Sequence, residues 1–334
     1  MIIVTGGAGF IGSNLVKALN QRGIDDILVV DNLQNADKVK NLADLSISDY
    51  MDKHEFADVM ASNRDIESVS AVFHEGACSD TMASDGKYVL ENNFTYSKLL
   101  FRFCQQHAAQ YIYASSASVY GAGEVFVEEP SYESTLNAYA YSKLLFDNFV
   151  RHQIRAYGEI EFQCVGLRYF NVYGPREQHK GRMASVAWHF YHQYQANKQV
   201  KLFAGSDSYA DGEQLRDFVS VHDVVKVNLF LLDNPHVNGI FNVGTGRAQS
   251  FNDVAIAVVN RCRNLDGESS LSFDEAISRG EISYVAMPEA LHGKYQSYTC
   301  ADMSRLKKAG YSSEFDTVET GVFNYVDYLT DGRS

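Results

Sequence analysis

Short apolar runs alternate with longer amphipathic stretches through the first half of this 334-residue chain. Ile2-Val4, Ile27-Val30, Ala71-Phe73 and Tyr111-Ala114 are apolar at every position, as strands buried on both faces are. Between the first two runs, Ile11, Leu15, Ala18 and Leu19 fall on one helical face. Tyr88-His107 and Ala138-Tyr157 predict two further helices, and Phe162-Leu167 predicts another strand. Alternation of this kind predicts an α/β fold, a doubly wound parallel sheet of Rossmann type with helices on both faces.

Beyond Leu167 the pattern changes. Tyr173-Arg182 and Gly205-Glu213 are rich in turn residues, and Asn242-Gly246 reads as a loop. A smaller substrate-binding domain is expected here. The division places residues 1–170 and 217–240 in a dinucleotide-binding domain and residues 171–216 and 241–334 in the second. No long Gly/Ser linker separates them, so the two are expected to pack intimately.

Composition narrows the class. The formal charge of −13 argues against a nucleic-acid partner, which calls for a basic face that displaces counterions. No apolar run approaches the roughly 18 residues of a membrane-spanning helix. Met1 leads straight into an apolar run without a basic leader, so a cytoplasmic protein is expected. Five scattered cysteines, none in a C-x-x-C pair, read as reduced and mostly buried thiols, with no metal site.

The first chemical signal is T-G-G-A-G-F-I-G, Thr5-Gly12, between the first strand and the first helix. Gly6 allows the tight turn, Gly9 lets backbone approach a pyrophosphate, and Gly12 permits close helix packing. The helix start then offers free N–H groups to the anion. Asp31 follows at the end of the second strand, where a carboxylate accepts hydrogen bonds from a ribose 2′-hydroxyl and favours NAD. Lys38 and Lys53 lie in the loops expected near that ribose and could neutralise a 2′-phosphate, so the residues alone leave NAD and NADP both open.

The second signal is N-A-Y-A-Y-S-K, Asn137-Lys143. Residues four apart share a helical face and residues two apart do not, so Tyr139 neighbours Lys143 while Tyr141 points elsewhere. A free phenol, with pKa about 10, is a poor base at neutral pH. A neighbouring ammonium and a cationic nicotinamide favour the phenolate, which takes a proton from a substrate hydroxyl. Ser116, at a strand end, would hold that hydroxyl. The plainer alternative for Tyr139 is a packing aromatic, one of 21 tyrosines.

Together with S-S-A-S-V-Y-G (Ser115-Gly121), R-Y-F-N-V-Y-G-P-R (Arg168-Arg176) and R-D-F-V (Arg216-Val219), these motifs resemble the extended short-chain dehydrogenase/reductases that act on nucleotide sugars. F-H-E-G-A-C-S (Phe73-Ser79), M-D-K (Met51-Lys53), P-R-E-Q-H-K-G (Pro175-Gly181) and K-L-F-A-G-S (Lys201-Ser206) are similar, more narrowly, to the nucleotide-sugar epimerases that invert carbon 6″ of ADP-heptose for lipopolysaccharide. The resemblance spans essentially the whole chain. It implies NADP as cofactor and a homopentamer. It places Phe10, Ile11, Asp31, Asn32, Lys38 and Lys53 against the cofactor, with Glu75, Gly76, Ala77, Cys78, Ser79, Asn92, Lys143, Val172 and Lys180. It implies Tyr139 and Lys180 as the two acid/base residues. Substrate contacts implied are Ser116, Asn171, His189, Phe203, Ala204, Gly205, Ser206, Arg216 and Tyr295, with Arg182 in the same region. Two departures stand out: Arg182 replaces a familiar small serine, and Asp207-Leu215 is longer than the usual loop.

Three other readings share parts of this pattern. A 4-epimerase on a different nucleotide sugar needs the same oxidation and re-reduction, and only the Glu75 and Lys180 stretches argue against it. A 4,6-dehydratase wants an acidic pair just after the strand-end serine, where this chain has Ala117-Ser118. A non-catalytic dinucleotide sensor has no use for Ser116, Tyr139 and Lys143 together.

Overall fold

The computed structural model describes residues 1–332, apart from 63–65, 67, 159–160, 207 and 289–295. β1 (Ile2–Thr5), α1 (Phe10–Gln21), β2 (Ile27–Asp31), β3 (Asp49–Asp52), α2 (Lys53–Ala61) and β4 (Ala71–His74) follow in chain order. Next come α3 (Gly86–Leu90), a π-helical turn (Glu91–Thr95), α4 (Tyr96–His107), β5 (Gln110–Ser116), α5 (Ala138–Tyr157) and β6 (Cys164–Tyr169). The sheet has seven strands in the order Gly239–Val243, β6, β5, β4, β1, β2, β3, all parallel.

The apolar runs build this sheet because successive side chains enter opposite cores. Ile2 and Val4 join Leu15, Val16 and Leu19 of α1 in one cluster. Ile3 joins Phe56 of α2, Leu100 and Phe103 of α4, and Phe146 of α5 in the other. Burying both faces requires helices on both, which is the doubly wound arrangement the pattern predicts. No helix among the described residues is long and apolar enough to cross a membrane.

Three local expectations change. The helix expected over Tyr88-His107 starts earlier, at Gly86, and is broken by the π-helical turn. β3 was not anticipated: its sequence DYMD is polar at both ends and no position is fully buried, as suits a sheet edge. Asn242 and Val243 end a sheet strand, and the loop begins at Gly244. Asn242 reads as a turn residue, yet it is fully buried: its N–H donates to Glu128 and its side-chain amide to the Phe126 and Asp302 carbonyls.

After β6 the chain builds a second apolar core from α6 (Val186–Asn197) and, beyond α7 (Val221–Asp233), from α8 (Phe251–Leu265) and the helix Val318–Thr330. Helix α7 instead returns to the sheet, with Val224, Val227 and Leu231 in the core that holds α1.

One charged group pins the site-bearing elements together. Asp147 of α5 accepts from Tyr113 Oη (3.0 Å) and Ser115 Oγ (3.0 Å) of β5, and from Arg168 Nε (3.0 Å) and Nη2 (2.8 Å) of β6. Arg168, with no exposed surface, also donates to Glu133, which Arg151 grips at 2.6 and 2.7 Å. Glu133 sits below the usual carboxylate range: burial pushes it up, and Arg151 and Arg168 outweigh that. Asp147→Asn leaves the Arg168 charge buried with half its neutralisation, and is expected to cost about 3 kcal/mol of stability. Urea unfolding at neutral pH checks this; a midpoint equal to that of the parent chain refutes it.

Candidate active site

A cavity of about 520 Å³ is lined by residues at the C-terminal ends of β1, β2 and β4. Gly6, at φ +69°, turns the chain out of β1. A Cβ there would stand 2.5 Å from the Gly76 amide nitrogen, so two backbones meet at this floor. A Cβ on Gly12 would collide with the Gly6 carbonyl oxygen. Helix α1 begins after Gly9 with no side-chain cap and no acidic residue in its first turn, which leaves its N–H groups free for an anion. This floor fits a pyrophosphate.

Gly9, Phe10, Ile11, Asp31, Asn32, Lys38, Lys53, Glu75, Gly76, Ala77, Cys78, Ser79, Asn92 and Lys180 line the same cavity. The Asp31 carboxylate accepts from the Ala8 N–H (2.9 Å), the Asn32 N–H (2.7 Å) and Lys38 Nζ (2.9 Å). Lys53 Nζ is 2.6 Å from Asn92 Oδ1. Tyr96 faces this end with its buried hydroxyl lacking a protein partner; burial, then Asp52 and Asp31, push its pKa up.

A second cavity, of about 450 Å³, is lined by Asn171, Val172 and Arg216 together with Ser118, Asn137 and Phe251. Val172 therefore faces this cavity and not the first. Arg216 is buried, with its guanidinium 5.7 Å from the Phe251 ring. Lys180, Arg182 and Met183 line both cavities. They belong to a 3₁₀ segment, Gln178–Met183. Lys180 Nζ lies 3.7 Å from Glu177 Oε2 and 4.8 Å from the Phe10 ring centre. Burial lowers the Lys180 pKa, and Glu177 opposes that. Arg182 reaches over to Asp80 at 2.7 Å.

Ser116, Tyr139 and Lys143 line neither cavity, and of the N-A-Y-A-Y-S-K stretch Asn137 lines the second. Asn137 caps α5, accepting from the Ala140 N–H at 2.8 Å, which sets the helix start and so the facing of everything after it. Tyr139 is hydrogen-bonded to Ser116, whose hydroxyl also receives Ser118 Oγ at 2.9 Å. Tyr141 is 48% exposed, on another face of the helix. Burial raises the Tyr139 pKa, with the Ser116 bond opposing. Lys143 points its Nζ at the Ala114 carbonyl, 2.7 Å away, and not at the phenol. Burial lowers its pKa to about 8, against the pull of Glu75 and Asp147. The protein alone therefore holds Tyr139 as a phenol, and any phenolate depends on what binds beside it.

Several anticipated residues are not in these cavities. Phe203, Ala204, Gly205 and Ser206 line neither, because their loop closes on itself: the Gly205 N–H donates to Asp211 at 2.7 Å, and Gln214 donates to Ser206 Oγ at 3.2 Å. His189 lies along α6 with its ring against Trp188, 5.1 Å between centres. Tyr295 is outside the described residues, as is Asp207 of the longer loop. That loop is otherwise anchored to α8, where Asn252 Nδ2 donates to the Asp211 carbonyl at 3.0 Å.

Three working residues escaped the sequence reading. Asn93, next to the anticipated Asn92, holds Cys78 by its N–H (2.7 Å) and carbonyl (3.0 Å) and donates to Ser142 Oγ (3.0 Å), tying the cavity floor to α5. Glu177 is fully buried and receives the Ser185 N–H and hydroxyl, both at 2.6 Å, fixing the segment that carries Lys180. It lies inside P-R-E-Q-H-K-G, so a signal was present. Asp80 carries none beyond its place after Ser79.

Residues 2–244 match the NAD dependent epimerase/dehydratase family, and the chain belongs to that family. A nicotinamide dinucleotide is its cofactor class. Among relatives, the chain is 60% identical over 327 residues to the ADP-L-glycero-D-manno-heptose-6-epimerase of Thiobacillus denitrificans, covering 98% of both chains. The ADP-L-glycero-D-manno-heptose-6-epimerase structure from Helicobacter pylori superposes with a TM-score of 0.80 at 29% identity, over 98% of this chain and 96% of that one. A UDP-glucose 4-epimerase from Thermotoga maritima, solved with UDP-glucose, gives 0.76 at 26% identity over 100% and 99%.

Gly12→Ala drives a methyl group into the Gly6 carbonyl. The expected outcome is a protein purified without dinucleotide while the fold persists. Absorbance of the nucleotide released on denaturation, beside a circular dichroism melt, reads both. Full cofactor content in the variant refutes the assignment of the turn.

Proposed function

We propose that this protein interconverts ADP-D-glycero-D-manno-heptose and ADP-L-glycero-D-manno-heptose by inverting carbon 6″. The 60% identity to the heptose epimerase over nearly the full length supports the substrate. The observation that carries the mechanism is that Lys180 lines both cavities.

No carbonyl acidifies the C–H bond at carbon 6″, so direct deprotonation there is not viable. A nicotinamide dinucleotide held on the glycine turn and in the first cavity would supply the alternative, reversible hydride exchange with that carbon. The chain supplies the rest. Ser116 orients the substrate hydroxyl, and Tyr139 exchanges its proton. Lys143, held on the Ala114 carbonyl, adds positive charge behind the phenol. Arg216, with Arg182 lining the same cavity, grips the diphosphate there.

Inversion poses a geometric problem. With the same carbon at the nicotinamide, the two epimers present their hydroxyls in different directions, and one residue does not reach both. Lys180 serves the other hydroxyl, since its burial favours a neutral amine more than a surface lysine would. The experiment is incubation with ADP-D-glycero-D-manno-heptose, following the second epimer by proton NMR. Tyr139→Phe and Lys180→Met are each expected to slow interconversion about a hundredfold or more while substrate affinity holds. A Lys180→Met protein that loses affinity but interconverts normally at saturation makes this residue a phosphate clamp and removes the second acid/base.

For the cofactor we favour NADP. The Asp31 charge is already met by Lys38, and Lys53 stands free to turn from Asn92 toward a 2′-phosphate. Lys53→Glu is expected to weaken NADP about tenfold or more relative to NAD, as loss of a charge-assisted contact does. Calorimetric titration of both dinucleotides measures it; equal weakening of the two refutes the assignment.

A further inference from the structure

Glu177 lines neither cavity, yet its carboxylate stands beside Lys180, which lines both. It is fully buried and precedes the Gln178–Met183 segment directly. The Lys180 N–H donates to the Glu177 carbonyl at 2.9 Å. Residues three apart eclipse in a 3₁₀ turn, so the amine of one comes over the carboxylate of the other. Both carboxylate oxygens are already taken. Oε2 accepts the Ser185 N–H and Oε1 the Ser185 hydroxyl, each at 2.6 Å. Tyr325, from the helix Val318–Thr330, is hydrogen-bonded to the same group.

Lys180 Nζ is left at 3.7 Å, longer than a hydrogen bond. Lys226 and Asp223, also three apart, close to 2.7 Å. A buried carboxylate calls for a cation, and among the described residues Lys180 is the one within 4 Å of Glu177. The amine therefore faces a negative charge without being clasped by it, and its side chain stays 22% exposed. We propose that Glu177 is a positioning residue of the reaction: its carboxylate anchors the Lys180 amine at the wall common to both cavities and supports the ammonium formed when Lys180 takes the proton of a substrate hydroxyl. The proton passes from the hydroxyl to the neutral amine and returns from the ammonium when the reaction runs the other way. Glu177 takes no proton itself. The inference rests on the reading of Lys180 as an acid/base and extends it.

The other neighbours of the pair are neutral near pH 7 or engaged elsewhere. His179 is pushed down to about 4 by burial, then by Lys38 and Lys180. Phe10 of α1 presents only its ring, 4.8 Å from Lys180 Nζ. Arg182, two residues on, is held by Asp80 at 2.7 Å. Burial lowers the Lys180 pKa, and Glu177 is the group that opposes it. Glu177→Gln keeps the shape and removes the charge, so Lys180 gives up its proton at lower pH.

The decisive measurement needs no turnover. Trace acetylation of the purified holoenzyme with acetic anhydride across pH, read at Lys180 by mass spectrometry, follows the neutral amine. The midpoint is expected to fall by about one pH unit or more in Glu177→Gln, as loss of an opposite charge at this range does. Ser185→Ala loosens the brace but keeps the charge, and is expected to leave the midpoint in place. If Glu177→Gln does not fold, Glu177→Asp, with its carboxylate one methylene further off, moves the midpoint the same way by less. In turnover, the kcat profile of the variant is expected to shift toward acid with the midpoint, while KM changes by less than about twofold. A midpoint unmoved in whichever Glu177 variant folds overturns the proposal, as does a shift in Ser185→Ala as large as that in the Glu177 variant, or a kcat profile that superimposes on the parent's. A chain that shows the midpoint shift yet fails to epimerise ADP-heptose sinks the functional reading and leaves the Glu177–Lys180 pair standing.

Discussion

The Asp147 carboxylate is the constraint on which the active site depends. It takes four hydrogen bonds from three groups on β5 and β6 and sits on α5 one turn beyond Lys143. Ser116 is the last residue of β5, and Tyr139 and Lys143 belong to the first turns of α5. Strand and helix could slide against one another on apolar contacts alone, since such contacts are non-directional. A charged, multiply bonded knot fixes one register. The cost is an arginine in the interior, offset by two carboxylates and by the face of Tyr120, 5.0 Å away.

The site divides between the sheet side and the loop side. The first is the C-terminal ends of the strands, the glycine turn and α5. The other half is the 3₁₀ segment carrying Lys180 and Arg182, which reaches both cavities from a loop braced by Glu177. The Arg182–Asp80 pair joins the halves through exposed side chains, so it adds little stability and is open to exchange for an anionic ligand.

Much of this was legible in the sequence, for reasons of range. The strands follow from runs buried on both faces, α5 from its periodicity and its Asn137 cap, and the pyrophosphate floor from glycine spacing. Each is a local signal. The facing of Tyr139 and Tyr141 is local too, because helix geometry relates residues two and four apart. The Glu75–Tyr169 contact spans 94 positions and Arg182–Asp80 spans 102, and no local period encodes them. The π-helical turn, which carries both Asn92 and Asn93, was hidden inside an ordinary helical pattern. Phe203-Ser206, which the resemblance carries to the substrate, lie in a loop closed by its own hydrogen bonds and line neither cavity.

The bare start of α1 has a consequence for the life of the protein. Its first N–H groups have no side chain to satisfy them, so a bound anion meets donors that the protein otherwise leaves to solvent. Ligand binding is then also stabilisation against unfolding. At a free ligand concentration a hundred times the dissociation constant, the gain is about 2.7 kcal/mol. An empty chain opens more often and meets proteases more often than a loaded one, so the supply of dinucleotide in the cell would set how long each molecule survives, as well as whether it works.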